Sequence, residues 1–154
     1  MELLKLIKVD HLDSGDHVRK LLKNRHLKTQ DACEAFQLAA GLNRVNCMRE
    51  VYKYFKAIDR PGKKEMTALH YAAKYNAIRA AKYLIKLGSY VNTQDIYGNT
   101  PLKLALTRGH VSMAKVLIHA GGTGGTGGTG GTGGVSARGK PGMLESSNLK
   151  SLKL

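Results

Sequence analysis

Between Thr100 and Gly121 the apolar residues fall into two short helical faces separated by a break. Leu102, Ala105 and Leu106 stand at i, i+3 and i+4, the spacing of one helix face. Thr100 precedes them as an N-cap whose hydroxyl can accept an orphan amide, and Pro101 occupies the first helical position, where no N–H is needed. Gly109-His110 interrupts the pattern. Val111, Met113, Ala114, Leu117 and Ile118 then predict a second apolar helix, closed by Gly121 as a C′ glycine. Asp95 to Asn99, with Gly98 inside it, reads as the turn that feeds the pair.

The same pattern occurs 33 residues earlier. Thr67-Ala68-Leu69-His70-Tyr71-Ala72-Ala73 aligns with Thr100 to Leu106, Leu84-Ile85 with Leu117-Ile118, and Gly88 with Gly121. One more step back gives a weaker copy, in which Glu34 to Ala40 aligns with Thr67 to Ala73 and Val51-Tyr52 with Leu84-Ile85. Its expected turn, Thr29 to Cys33, lacks a glycine. Upstream, Leu3, Leu4, Leu6 and Ile7, then Val18, Leu21 and Leu22, predict one further helix pair, with Lys5, Lys8, Lys20 and Lys23 on a polar face suited to an N-terminal cap. A single turn–helix–loop–helix unit is too small to bury its apolar face, so the copies must stack.

Residues 63–121 resemble two ankyrin repeats. They depart from the family pattern at Ala68, where proline is usual, at Asn76-Ala77 in place of Gly-His, and at Lys103 in place of histidine. The resemblance implies an all-α ankyrin repeat solenoid with a cap over 1–28, a degenerate repeat over 29–62 and repeats over 63–95 and 96–120. It also implies that His70 is structural and that partners bind a concave face made of turn tips and the exposed side of each first helix. Mapped onto this chain, that face holds Lys63, Lys64, Met66, Lys74, Tyr75, Ile96, Tyr97, Asn99, Thr107 and Arg108, with Gln30, Cys33 and Leu42 added by the degenerate repeat. Tyr is a frequent anchor in interfaces, and apolar residues on turn tips have no core to fill.

Residues 121–134 read GGTGGTGGTGGTGG, which predicts a designed flexible linker with a reach of roughly 20 Å. Beyond it, residues 135–154 are expected to be a tethered peptide from a partner protein, with Met143, Leu144, Leu149 and Leu152 as anchors. Such a tether raises the local concentration of a weak ligand to the mM range. Arg138 and Lys140 could meet Asp59 or Asp95, and Ser146, Ser147 and Ser151 stand near basic residues where phosphorylation would invert the charge.

Composition narrows the function. Net charge is +14, with 25 Lys+Arg against 11 Asp+Glu, a balance that suits an acidic protein or nucleic acid as partner. Two cysteines make no disulfide framework, and no signal peptide or membrane span is visible, so an intracellular place, cytoplasm or nucleus, is expected. The six histidines show no metal-ligand spacing. No Ser/His/Asp or Cys/His arrangement and no phosphate loop is present, so neither an enzyme nor a cofactor is expected. The sequence therefore predicts a protein–protein adaptor that assembles a complex around a short linear peptide. The alternative is a basic nucleic-acid-associated or regulatory-subunit module.

Overall fold

The computed structural model describes residues 2–9, 15–24 and 28–124, and within them the chain is all-α. Eight helices follow one another: α1 Glu2–Val9, α2 Asp16–Asn24, α3 Thr29–Gly41, α4 Val45–Tyr54, α5 Ala68–Lys74, α6 Ile78–Lys86, α7 Pro101–Thr107 and α8 Val111–His119. A tight 3-10 turn, Lys63–Glu65, precedes α5.

The helices form two layers. α1, α3, α5 and α7 pack in sequence as an inner row, and α2, α4, α6 and α8 as an outer row. One apolar core runs the length of the stack, from Ile7 and Val18 through Phe36, Met48, Leu69 and Leu84 to Leu102, Met113 and Leu117. This is the ankyrin solenoid that the 33-residue spacing predicts.

Backbone conformation repeats at the same interval. Asn43, Asn76 and Gly109 all adopt positive φ, 60°, 57° and 73°, at the bend between the two helices of a repeat. Asn tolerates this left-handed region better than most residues do.

Two expectations change. Thr29 to Cys33 is not a turn but the start of the 13-residue α3. Ala32, Cys33 and Phe36 are buried at helical spacing, and no glycine interrupts them. Leu106 and Val111, expected on buried faces, are 54% and 65% exposed. At the equivalents of Leu106, Ala40 and Ala73 are fully buried, each with a further inner helix stacked beyond it. Among the described residues, no further inner-row helix stacks beyond α7 to cover Leu106.

The array does not end where the expected linker begins. Gly121 and Gly122 are buried, and Thr123 donates its amide to Asn92 Oδ1 at 2.7 Å. Asn92 Nδ2 also donates to the Gly121 carbonyl at 3.1 Å. Thirty-three residues earlier, Asp59 accepts from the amide of Tyr90 at 3.1 Å and from the Ser89 hydroxyl. The first residues of the Gly/Thr run thus follow the repeat's own loop.

Candidate functional site

A groove of about 450 Å³ crosses the inner row where α1, α3 and α5 meet. Leu4 and Lys8 come from α1, Glu34, Leu38 and Leu42 from α3 and its C-cap, and Tyr71 and Tyr75 from α5, with Lys63 at the rim. The floor and walls are mainly apolar, and charged groups stand at the edges.

Each wall has a local cause. Leu38 and Leu42, like Tyr71 and Tyr75, are four residues apart, so each pair shares one side of its helix. The Tyr75 ring rests on Gly41, where a Cβ would lie 3.1 Å from the ring edge. Lys74 Nζ sits 5.3 Å from the Tyr75 ring centroid. Tyr75 remains 55% exposed. Burial, and then the neighbouring Tyr75, raise the Tyr71 phenol above its usual range, so it stays a protonated donor at neutral pH.

Gln37 fixes the loop that forms the lip of the groove. It is buried, and its Nε2 donates to the carbonyls of Arg60 and Met66 at 3.0 and 3.2 Å. Gln37 stands 33 residues before His70, whose Nε2 meets the Asn99 carbonyl, the equivalent of Met66, at 2.9 Å. A glutamine therefore makes the inter-repeat bond of the histidine in the degenerate repeat. Lys103 is next in the series. There Thr100 Oγ1 donates to the Thr123 carbonyl.

The residues expected on the binding face divide. Lys63 and Tyr75 line the groove, as does Leu42. Lys64, Ile96 and Tyr97 gather at the turn tips: Lys64 Nζ is 5.5 Å from the Tyr97 ring centroid, and the Ile96 amide donates to the Lys64 carbonyl at 3.1 Å. Asn99 holds the Asp95 turn, donating its amide to Asp95 Oδ1 at 2.9 Å. Thr107 donates to its own helix at the Lys103 carbonyl, 2.8 Å away, and Arg108 is exposed at the C-cap of α7.

Met66 is a correction. It is 6% exposed, because the Gln37 bond and the Gly62 amide both draw its carbonyl inward. Cys33 is another, at 2% exposed, and burial raises its thiol above the usual range. Gln30 is exposed and donates to Glu34. Asp59 spends its carboxylate on Ser89 and Tyr90 of the next repeat, and Asp95 on its own turn. Met143, Leu144, Leu149, Leu152 and the tail's serines and cations lie outside the described residues.

Leu4, Lys8, Leu38 and Tyr71 were missed. The i−4 relation of Leu38 to Leu42 and of Tyr71 to Tyr75 was the available signal for two of them. Among the described residues, no group of three His, Cys, Asp or Glu could hold a metal, and no helix is long and apolar enough to cross a membrane.

Residues 69–118 match the family model described as ankyrin repeats in many copies. The chain is 29% identical over 94 residues to ankyrin repeat and SOCS box protein 3 of Bos taurus, covering 59% of this chain and 18% of that protein. It is 28% identical to the Homo sapiens protein of the same name over the same lengths. It is 35% identical over 72 residues to potassium channel AKT1 of Arabidopsis thaliana, covering 47% of this chain and 8% of the channel. The chain thus spans under a fifth of the length of these curated relatives. Ankyrin repeats generally mediate protein–protein interaction, and residues 69–118, within the helical stack, are similar to such repeats.

Proposed function

We propose that the chain is a non-enzymatic adaptor whose inner groove binds a short linear segment of a partner protein and so assembles a complex. The observation that carries this reading is the apolar cleft between Leu4, Leu38, Leu42, Tyr71 and Tyr75, open to solvent and bounded by Lys8, Lys63 and Glu34. Its volume fits two or three apolar side chains, and an exposed Tyr over a cleft is a common hot spot.

Residues 135–154 are the proposed occupant, joined by a designed linker and derived from the partner. Between Gly124 and Val135 the Gly/Thr run has an r.m.s. reach of about 17–20 Å. Two helix-to-helix steps along the inner row, from α7 to α3, cover about 16–20 Å. The tail is basic, so its apolar residues Met143, Leu144, Leu149 and Leu152 would carry the binding, with weak intrinsic affinity. An intracellular setting, cytoplasm or nucleus, accords with two buried cysteines that form no disulfide.

The test titrates a labelled peptide of residues 135–154 into the full chain whose own four anchors are changed to Ser. Saturable binding is expected, with Tyr75→Ala weakening it about 30-fold, the scale of a 2 kcal/mol hot spot. No binding at mM peptide would remove the tail as occupant. Loss caused by Leu106→Asp, at the exposed end of the inner row, but not by Tyr75→Ala would move the site to the end of the array.

A further inference from the structure

The positive charge of this chain is segregated between the two rows. Exposed Lys and Arg number three on α2, two on α4, three on α6 and one on α8, against two carboxylates on the same helices, Asp16 and Glu50. Glu50 is buried and engaged by Arg19 and Lys53. The inner helices hold four lysines and three carboxylates, Glu2, Asp31 and Glu34. Nine of the basic residues that look scattered along the sequence therefore form one band on the convex side, away from the groove.

At the usual 8–10 Å between packed helices, four outer helices make a band about 30 Å long. Its centre is α6, where Arg79, Lys82 and Lys86 recur on one exposed side. Aromatic groups are interleaved: Tyr54 is 53% exposed beside Lys53, and the Arg49 guanidinium lies 5.9 Å from the Tyr83 ring centroid.

We propose that this convex band binds the phosphate backbone of nucleic acid, independently of any peptide in the groove. Duplex DNA presents one charge per about 1.7 Å of its axis, enough to engage every cation of a 30 Å band. Tyr and Arg planes offer stacking to unpaired bases. An anionic bilayer fits less well. A helix that lies on a membrane turns an apolar side outward, whereas the apolar sides of α2, α4 and α6 face the core.

The experiment uses the full chain and 5′-labelled 20-nucleotide single strands and duplexes of one sequence, read by fluorescence anisotropy. Neutralising about five phosphates gives a log–log salt slope of about −3.5 for the single strand and −4.5 for the duplex. Affinity should then fall on the order of 10²-fold between 50 and 200 mM salt. Arg79→Glu/Lys82→Glu/Lys86→Glu should weaken binding at least tenfold. Lys5→Glu/Lys28→Glu/Arg108→Glu, with the same charge change on other surfaces, should stay within threefold. A Gln version of the α6 triple, checked for native helicity, guards against unfolding and should also weaken binding. Which of the two nucleic acids binds tighter identifies the natural form. Equal loss in both charge-reversed triples overturns the site, as does unchanged binding by both. Failure of both oligonucleotides to bind at 50 mM salt, or capture by phosphatidylserine vesicles alone, overturns the ligand.

Discussion

His70 ties two repeats together through one ring: Nε2 lies 2.9 Å from the Asn99 carbonyl oxygen, while Nδ1 lies 3.1 Å from the Thr67 amide. The amide can only donate, so Nδ1 accepts and Nε2 carries the proton that Asn99 receives. The ring is neutral, and burial is the main reason that its pKa falls below the usual histidine value. Protonation would set a second N–H against the Thr67 amide.

The sign of the pH effect follows. The unfolded histidine titrates near 6.5 and the folded one lower, so below about pH 6.5 the unfolded chain binds more protons and stability falls. Urea midpoints at pH 7.5 and 5.0 should differ more for the parent than for His70→Gln. Gln37 makes the equivalent bond, so His70→Gln should cost less than His70→Leu, which strands the Asn99 carbonyl and the Thr67 amide for about 1–3 kcal/mol. Equal midpoints for Gln and Leu would refute the equivalence.

Much of this fold could be read from the 33-residue spacing, because the spacing sets which residues face which. Leu69, Leu84, Leu102 and Leu117 lie in the core as their pattern requires. The groove was harder to read. It forms mostly from α1 and α3, where the repeat signal is weakest, and its residues are joined only by stacking. Met66 misled because an apolar residue on a loop looks exposed until the buried Gln37 that anchors its carbonyl is known. The convex charge band was hidden because its cations are spread over four helices that are distant in sequence.

Gly122 is packed against α8, whereas Gly124 is not. A Cβ at Gly122 would lie 2.8 Å from the Leu117 carbonyl oxygen, a backbone atom that cannot step aside cheaply, whereas at Gly124 it meets nothing within 4 Å. Gly122→Ala should cost about 1–3 kcal/mol in chemical denaturation and Gly124→Ala should be neutral. Asn92→Ala should speed amide exchange at Thr123, whose N–H it bonds. Equal stability of the two alanine variants would place Gly122 outside the fold.

Glu50 shapes the acid limb of stability. Arg19 donates to it from Nε and Nη2 at 3.0 and 3.1 Å, and Lys53 from Nζ at 2.7 Å. The Arg19 bonds, opposed by burial, hold its pKa at about 2. A depressed carboxylate contributes stability above its unfolded pKa and loses it as pH falls toward the folded one. Glu50→Gln should therefore lower Tm at pH 7, and the gap from the parent should close between pH 4.5 and about 2. A gap that stays constant over that range would mean that packing, not charge, sets the cost.

Asn43 performs two separable tasks. Its φ of 60° is left-handed, and its Oδ1 accepts the Ala80 amide at 2.9 Å, capping the first turn of α6 from the neighbouring repeat. Ala77, the N-cap of α6 itself, has no side-chain acceptor, so the cap must come from elsewhere. Asn43→Gly keeps the backbone conformation and loses the cap, for about 1 kcal/mol. Asn43→Ala loses the cap and adds left-handed strain of about another 1 kcal/mol. At Asn76, where φ is 57°, glycine should match or improve on asparagine, as the third repeat's Gly109 does with φ of 73°. Denaturation of the three variants ranks them: Asn76→Gly most stable, then Asn43→Gly, then Asn43→Ala. If Asn43→Gly equals the parent, the Ala80 bond contributes nothing, and α6 is held by packing alone.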